Sequence, residues 1–162
     1  MDWLSSLIAG LDNAAVTATS LAFDDYGRSL AIALLAFLLV LRFSTHRASP
    51  LFLSLVLSYF AVNILKAVIS FPRPCTELAA KVACPLTGSF PSGHSTIAGA
   101  FILSSVGTPL FPLFLLIGGF AFFSRIYLGL HTFGDVAAGL AIGVVLYSVS
   151  ERFYHAYRKA VS

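Results

Sequence analysis

Residues 51–69 read LFLSLVLSYFAVNILKAVI, an apolar run with a single charged residue, Lys66, near its end. An α-helix needs about 20 predominantly apolar residues to cross a bilayer. A helix of this composition has no polar face to turn toward water. The run therefore predicts a membrane-spanning helix.

The rest of the chain has the same character. Its 162 residues are 58% hydrophobic and 10% charged, with a mean hydropathy of +0.90, whereas about a quarter of the residues of a soluble domain are charged. Four further apolar blocks occupy residues 29–41, 96–106, 110–123 and 133–148. The shorter blocks fall below the length of a span, and we expect them to extend through their polar flanks. We predict an all-α fold, a polytopic membrane helical bundle of five to six transmembrane helices in a single domain over residues 1–162. A soluble helical protein with a fully buried core is the alternative.

The first 24 residues allow two interpretations. Asp12 and Asn13 lie in the middle of an otherwise apolar pattern, and a charge near the bilayer centre is costly. The segment is therefore either an amphipathic helix in the plane of the membrane or a sixth span. The apolar residues that recur there at helical spacing are Leu4, Leu7, Ile8, Leu11 and Ala15.

The basic residues predict the orientation of the bundle. Short basic loops are cytoplasmic, and with five spans the loop after the first block shares a face with the C-terminal end of the chain. Arg28 and the segments 71–95 and 125–135 then lie at the opposite, extracytoplasmic face. The basic residues behind this prediction are Arg42, Arg47, Arg152, Arg158 and Lys159.

Two cations lie around the end of the 51–69 run. Lys66 and Arg73 are seven residues apart, which would place both on one helical face if the helix continued that far. Pro72 and Pro74 are expected to end the helix and let Arg73 fold back toward a site at this face. Two interfacial cations whose side chains extend toward water are the alternative.

Residues 90–95 read FPSGHS and directly precede the apolar block at 96–106. Pro91 stiffens the approach, Ser92 can cap a helix, and Gly93 lets the backbone approach a ligand closely. Free N–H groups and the dipole at a helix start favour an anion. Ordinary capping, with a structural His94, is the alternative.

A third polar group lies in residues 124–135. Ser124-Arg125 is followed after five residues by His131, and then by Asp135. The four-residue separation predicts that His131 and Asp135 share a helical face within hydrogen-bond reach. The carboxylate would fix the imidazole tautomer and leave the other ring nitrogen free as a nucleophile. A structural pair that caps the helix is the alternative.

Together the three segments place three cations, two histidines and a carboxylate at one membrane face. Such a set can bind a tetrahedral dianion, attack it with one histidine and protonate the departing oxygen with the other. The order and spacing resemble the three-part signature of the type 2 phosphatidic acid phosphatase (PAP2) superfamily of membrane lipid phosphatases. That signature is a lysine, six residues and Arg-Pro; then Pro-Ser-Gly-His; then Ser-Arg, five residues, His, three residues and Asp. Residues 66–74, 91–94 and 124–135 match it at every position.

The resemblance implies a role for each residue. His131 would be the nucleophile that forms a phosphohistidine, Asp135 would orient it, and His94 would be the general acid that later activates water. The phosphoryl oxygens would be held by Lys66, Arg73, Arg125, the Ser92 hydroxyl and the Gly93 N–H.

The resemblance also implies that no metal and no other cofactor is needed. Apart from Asp135, the same face offers only three carboxylates, without metal-ligand spacing: Asp24, Asp25 and Glu77. The related vanadate haloperoxidases share the ligand set, but they are soluble and usually have a longer gap between the lysine and the arginine. The hydrophobic blocks and the six-residue gap therefore favour the phosphatase.

Cys75 and Cys84 bracket the loop between the first two motifs. An extracytoplasmic loop permits a disulfide, which would fix the segment that positions Arg73 relative to His94. Both cysteines lie beside prolines in a polar loop, which favours the disulfide over two small buried thiols.

These observations predict an integral protein of the cell membrane that hydrolyses a lipid phosphate or diphosphate without a metal. The leading substrate is a polyprenyl diphosphate of undecaprenyl or dolichyl type, because small members of the family often act on it and the short loops leave little room for headgroup recognition. Phosphatidylglycerophosphate and phosphatidic acid are alternatives. A lipid phosphotransferase and a non-catalytic membrane anion-binding protein are the other hypotheses. Membrane lipids are the remaining expected partners, no nucleic acid is expected, and no oligomeric state is predicted.

Overall fold

The structure, a computed structural model, describes residues 2–76 and 81–161. These residues form helices and connecting loops, with no β-strand among them. The prediction of an all-α bundle is therefore confirmed. The helices are α1 (Trp3–Ala9), α2 (Ala14–Asp24), α3 (Tyr26–Phe43), α4 (Thr45–Ile69), α5 (Gly93–Ser105), α6 (Phe111–Tyr127) and α7 (Phe133–Val161), and a 3₁₀ turn covers Pro74–Thr76.

Each of the five apolar blocks forms a helix, although the helices differ in length from the blocks. Helices α3, α4 and α7 have 18, 25 and 29 residues and are long and apolar enough to cross a membrane. Helix α6 is a shorter apolar helix of 17 residues. Helix α5 has only 13 residues, or about 20 Å at 1.5 Å per residue, less than the thickness of a hydrocarbon core.

The exposed and buried side chains are distributed as expected for a protein in lipid. Large apolar side chains cover the outer surface, whereas serines are buried between the helices. In a bilayer the hydrophobic effect does not drive helices together, so their association depends on close packing, which small residues such as serine allow. The fold is that of an integral membrane protein. Exposed examples are Leu34, Phe52, Phe60, Leu116 and Val145, and buried serines include Ser54, Ser58, Ser95, Ser104 and Ser124.

The N-terminal segment is neither one amphipathic helix nor a sixth span. It forms two short helices separated at residues 10–13, because Asn13 starts α2 by accepting hydrogen bonds from the N–H groups of Ala15 and Val16. With 7 and 11 residues, α1 and α2 are too short to cross a bilayer. Both helices pack against α6, and the Ser5 hydroxyl accepts a 2.7 Å hydrogen bond from the N–H of Phe133 at the start of α7.

Helices α5 and α7 pack with their backbones almost in contact, at a surface we call the glycine contact (Gly99, Gly139 and Gly143). A Cβ added to any of the three glycines would overlap the backbone of the facing helix segment. Only glycine permits this approach, and glycines four residues apart, as at 139 and 143, are typical of closely packed membrane helices. The facing backbone oxygens are those of Leu140, Ser92 and Thr96 respectively.

The connections bring the three sequence motifs to one end of the bundle. Helices α3 and α4 meet at Ser44, so the end of α4, the start of α5, the end of α6 and the start of α7 lie at the other end, beside the α2–α3 junction. Arg47 lies at the Ser44 end, where its guanidinium donates to the carbonyls of Ser104 and Val106. The predicted site residues and the basic residue Arg47 are therefore at opposite ends.

Candidate active site

The cations of the first motif are positioned by residues 70–76 and 81–92, which we call the site loop. Helix α4 ends at Ile69, and Ser70 takes a left-handed conformation with φ 48°. The helix therefore does not continue to residue 73, and Lys66 and Arg73 do not share a helical face. This agrees with the prediction that Pro72 and Pro74 end the helix here. Arg73 instead folds back from the site loop, as the flanking prolines predict.

Hydrogen bonds to carbonyl groups hold both cations in place. Arg73 donates from Nε to the Thr87 carbonyl (2.8 Å), from Nη2 to the Thr87 hydroxyl (3.1 Å) and from Nη1 to the Leu130 carbonyl (3.2 Å). Lys66 Nζ donates to the carbonyls of Gly88 (2.7 Å) and Ser89 (3.2 Å). The second half of the site loop is thus fixed against α4 and against the loop that precedes α7.

Cys75 and Cys84 form a disulfide, with their Cα atoms 5.6 Å apart. The bond joins the two described parts of the site loop directly after Arg73. Cys75 also packs against Tyr127, Leu128 and Leu130, so this side of the loop is attached to the end of α6.

The FPSGHS segment starts α5. Ser92 is the N-cap, and its hydroxyl accepts hydrogen bonds from the N–H (3.4 Å) and hydroxyl (3.1 Å) of Ser95. The Ser92 N–H donates to the Asp135 carbonyl at 3.0 Å. Gly93 and His94 are the first residues of the helix, where unpaired N–H groups favour an anion. The second and third motifs are therefore in direct backbone contact.

His131 lies in the loop between α6 and α7, two residues before α7 begins. The prediction that it shares a helical face with Asp135 is wrong, although the two side chains still meet. His131 Nδ1 is 3.7 Å from Asp135 Oδ2, which is ion-pair range and longer than a hydrogen bond. Asp135 Oδ2 accepts a 2.8 Å hydrogen bond from the Thr132 N–H, so the carboxylate is held at the helix start beside the imidazole.

The other nitrogen of His131 faces the cations. Arg73 Nη1 is 3.3 Å from His131 Nε2, and since arginine can only donate, Nε2 is the accepting nitrogen and Nδ1 carries the proton toward Asp135. Burial lowers the pKa of His131 to about 4, from an ordinary value near 6.5. The charges of Arg73 and Lys66 act in the same direction, and Asp135 opposes them. His131 is therefore neutral near pH 7, and the lone pair of its unprotonated Nε2 is directed at Arg73.

Arg125 lies at the centre of the site and is 2% exposed. Its Nη1 forms a 2.7 Å ion pair with Asp24 Oδ1 and lies 3.4 Å from His94 Nδ1. Its Nε and Nη2 are buried and have no hydrogen-bond partner among the described residues. A buried guanidinium edge without partners is costly in a folded protein unless a ligand completes it.

The sequence had marked Asp24 only as a carboxylate on this face. Its pairing with Arg125 joins residues 101 positions apart, and nothing in the local sequence indicates such a contact. In the described part of the chain, the neighbouring Asp25 makes no hydrogen bond to Arg125; its side chain accepts a hydrogen bond from the Arg28 N–H and caps α3. Glu77 lies outside the described residues.

An apolar cavity of about 390 Å³ adjoins the site. Its wall includes Gly93 and His94 at the start of α5, and most of the rest comes from apolar side chains of α3, α5 and α6, with Tyr59 of α4, Ser29 and residues of the α2–α3 junction. The volume lies within the range of about 300–1,000 Å³ that is typical of ligand pockets. The wall includes Phe23, Leu30, Ala33, Ile97, Phe101 and Ile117.

All of the predicted site residues therefore lie at one end of the bundle. Direct contacts link Arg73 with His131, Arg125 with His94, and Ser92 with Asp135. Lys66 holds the carbonyls of the site loop, and charges on Lys66, Arg73 and Arg125 act on the histidines. The arrangement is a cationic pocket that contains a neutral His131, whose unprotonated nitrogen, Nε2, faces Arg73.

Known proteins with the same architecture include two solved structures. The chain superposes on LpxE of Aquifex aeolicus with a TM-score of 0.79 and 25% identity, covering 92% of this chain and 93% of that one. It superposes on the first transmembrane PAP2 type phosphatidylglycerolphosphate phosphatase from Bacillus subtilis with a TM-score of 0.62, over 94% of this chain and 77% of that one. At 20% identity, the second similarity concerns the fold.

Sequence comparison gives a relative and a family. A lipid A 1-phosphatase of Rhizobium johnstonii is 36% identical over 104 residues, which are 57% of this chain and 42% of that protein. The chain thus corresponds to less than half of the length of this relative. The sequence profile of the PAP2 superfamily matches residues 47–159, a range that includes all three motifs. The chain therefore belongs to the PAP2 superfamily.

Proposed function

We propose that the protein is a lipid phosphate phosphohydrolase that acts through a covalent phosphohistidine on His131. The observation that carries the proposal is the contact between Arg73 and His131 Nε2, beside the unpartnered Nε–Nη2 edge of Arg125. A phosphoryl group bound to these cations would have its phosphorus next to a neutral imidazole nitrogen. Cations that hold the oxygens would also stabilise the charge of the transition state.

In the first step, the lone pair of His131 Nε2 attacks phosphorus. The P–N bond forms as the bond between phosphorus and the leaving oxygen breaks, and His94 donates a proton to that oxygen. The proton on His131 Nδ1 stays directed at Asp135, whose negative charge balances the positive charge that develops on the ring. A bound phosphate anion favours the charged form of His94, the form that this proton donation requires.

In the second step, His94 acts as a base and removes a proton from water. The water oxygen attacks phosphorus, the P–N bond breaks, and His131 leaves as neutral imidazole while inorganic phosphate is released. Throughout both steps the phosphoryl oxygens stay on Lys66, Arg73 and Arg125 and on the start of α5. This mechanism predicts no requirement for a metal.

The apolar cavity supports a lipid as the substrate. It ends at His94, the proposed proton donor to the leaving group, so a hydrocarbon chain attached to the leaving oxygen has an apolar volume beside it. The name of the Rhizobium relative favours lipid A 1-phosphate as the first substrate to test. Polyprenyl diphosphate, phosphatidylglycerophosphate and phosphatidic acid are the further candidates.

The test is phosphate release from these four lipids, each presented in the same detergent to the purified protein. We expect free phosphate from at least one lipid, unchanged by EDTA, and no release by His131→Ala. His94→Ala should also release little phosphate, because it lacks both the acid of the first step and the base of the second. Release that EDTA abolishes and Mg²⁺ restores would refute the metal-free mechanism, and full activity of His131→Ala would refute the phosphohistidine.

The same assay separates the two other hypotheses. A phosphotransferase would consume the lipid with little free phosphate, and the phosphoryl group would appear on an added lipid acceptor. An anion-binding protein would bind vanadate without turning over any lipid. Vanadate should inhibit a hydrolase, because its trigonal bipyramidal adduct resembles the transferring phosphoryl group.

We further propose that the site faces the extracytoplasmic side of the cell membrane. The basic residues at the opposite end of the bundle support this orientation, as does the disulfide in the site loop, because disulfides persist in oxidising compartments. In a Cys75→Ser/Cys84→Ser background, Leu86→Cys should react with a membrane-impermeant maleimide in intact cells. Lys159→Cys should react only after lysis, and the reverse pattern would overturn the orientation.

A further inference from the structure

We propose that Asp24 is a positioning residue, which holds the Arg125 guanidinium so that its Nε–Nη2 edge stays available to a phosphoryl group. The inference rests on the proposed function for its substrate, but not for its geometry. Asp24 is the last residue of α2 and lies outside residues 47–159, the part of the chain that matches the PAP2 profile. It is therefore an addition to the three motifs.

The ion pair with Asp24 involves a single nitrogen of the guanidinium, Nη1. Asp24 Oδ1 is 2.7 Å from Arg125 Nη1, and neither Nε nor Nη2 has a partner among the described residues. Because the guanidinium is planar and its donors have fixed directions, a carboxylate at Nη1 determines where the other two donors point. The Nε–Nη2 edge is the kind that binds phosphate through two parallel hydrogen bonds.

The burial of the two partners explains why a carboxylate is needed at this point. The Arg125 side chain is 2% exposed and that of Asp24 is 29% exposed, so the arginine is the group that loses its hydration. A buried charge without a partner is strongly unfavourable. Asp24 compensates Arg125 while the site is empty, and since it occupies a single nitrogen, it does not have to leave when phosphate binds.

The position of Asp24 also connects the phosphate site with the apolar cavity. Its neighbours Phe23 and Tyr26 both line that cavity. The α2–α3 junction is held against α6 by further contacts, including the packing of Phe23 on Phe120 at 5.1 Å between ring centroids. A change in the cavity wall at this junction therefore acts directly on the carboxylate that orients Arg125.

The experiment compares Asp24→Ala and Asp24→Asn with Asp25→Ala, which removes the adjacent carboxylate without touching Arg125. We expect Asp24→Ala to lower kcat/KM about 10- to 100-fold, the loss typical of a hydrogen bond to a charged group. Vanadate affinity should fall by a similar factor, and the thermal midpoint of the vanadate-free protein should fall as well, because the buried Arg125 loses its charged partner. Asp24→Asn should recover part of these losses, because its amide oxygen can accept the same hydrogen bond, and Asp25→Ala should stay within about twofold of wild type.

An Arg125→Lys background tests whether Asp24 acts through Arg125. Lysine cannot present a two-donor edge, so adding Asp24→Ala there should change vanadate affinity less than about twofold. An equal loss in both backgrounds would overturn the proposal, as would an Asp24→Ala variant with wild-type vanadate affinity. If Asp24→Ala does not fold, Asp24→Ser takes its place in the same comparison.

Vanadate binding, measured as protection against thermal unfolding, separates this proposal from the proposed function. A wild-type protein that binds vanadate but releases no phosphate from any lipid would overturn the function and leave the role of Asp24 to be decided by the variants. A protein that turns over lipid, but whose Asp24 variants bind vanadate normally, would overturn the positioning role alone.

Discussion

The starts of α5 and α7 are fixed to each other by backbone contact, whereas the site loop and the α2–α3 junction are held at the site by side chains. At the glycine contact, three glycines let the two helices approach until carbonyl oxygens face bare Cα atoms. In the site loop, by contrast, Arg73, Lys66 and a disulfide make the connections.

The two kinds of contact hold different parts of the site. His94 and Asp135 are carried by the two glycine-packed helices, and the backbone bond between Ser92 and Asp135 spans them. Arg73 and the carboxylate that orients Arg125 come from the regions held by side chains. Damage to the backbone contact should therefore remove the fold and the chemistry together, while damage to side-chain contacts should weaken phosphate binding or stability in steps.

The largest effect is expected from Gly143→Ala. The new Cβ would overlap the Thr96 carbonyl oxygen, and a backbone atom can yield only if α5 moves away from α7. We expect little folded protein and no measurable phosphatase activity, with size-exclusion profiles in detergent as the measurement. Gly119→Ala is the matched control, since no atom lies within 4 Å of its Cβ position, and it should fold normally or gain about 1 kcal/mol from helix propensity.

A folded Gly143→Ala protein with normal activity would show that α5 and α7 do not need their close approach. The starts of α5 and α7 would then not depend on backbone contact for their positions.

The second effect should change activity without changing the fold. Asp135→Asn keeps an oxygen that can accept from the Thr132 N–H, but it removes the negative charge 3.7 Å from His131 Nδ1. We expect kcat to fall about 10²- to 10⁴-fold, in the range of acid–base contributions, with a small change in the thermal midpoint. Turnover in detergent and circular dichroism melting measure the two quantities.

Asp25→Asn, at an exposed cap, should change neither quantity by much, because asparagine caps helices as well as aspartate does. If Asp135→Asn unfolded the protein, the carboxylate would be mainly structural, and its proposed orienting role would be wrong.

The sequence predicts the end of the bundle at which the site forms, but not the contacts that shape it. The three motifs could be placed at one face because they lie at the ends of apolar blocks, and a helix start at Ser92 follows from local capping chemistry. The prolines at 72 and 74 also predict the end of α4, which stops at Ile69. The helical-face argument for His131 with Asp135 was wrong, because α7 begins only at Phe133. Helix ends depend on a few local hydrogen bonds that periodicity does not reveal.

Two features of the site depend on tertiary structure alone. The pairing of Asp24 with Arg125 is a long-range contact, and its partners carry no shared local signal. The glycines at 139 and 143 form a small-residue pattern on one helix, but only the structure shows that they face Ser92 and Thr96. Sequence spacing identifies which residues of one helix lie together, and it does not identify the opposing helix.

A third and smaller effect is expected in the site loop, which side-chain contacts hold in place. Cys75→Ser with Cys84→Ser removes a short disulfide loop, which by chain entropy lowers the free energy of unfolding by about 2–3 kcal/mol. Because Thr87 and Leu130 still hold Arg73, we expect kcat/KM to fall only a few-fold. The measurements are thermal unfolding in detergent and turnover of the best substrate.

The matched control is the wild-type protein treated with a reductant, which should lose stability by the same amount. A double variant without any activity would show that the disulfide, and not the hydrogen bonds of Arg73, positions this half of the site.

The last expected effect is a pH dependence of stability that originates at His131. Its pKa is about 4 in the folded protein because of burial and the neighbouring cations, and near 6.5 in an unfolded chain. As the pH falls from 6.5 toward 4, the unfolded chain takes up a proton on this ring and the folded protein does not, so the unfolded state gains stability. The contribution of a neutral His131 is therefore fully present above about pH 6.5 and is lost progressively below it.

His131→Gln removes this contribution, so the difference in thermal midpoint between wild type and His131→Gln should shift against the wild type as the pH is lowered from 6.5 to 4. The same substitution at the exposed His155 controls for the loss of a histidine elsewhere. A shift of equal size with His155→Gln would contradict the assignment to His131. A shift specific to His131 would support a nucleophile that is kept neutral by its burial and by the positive charges of Arg73 and Lys66.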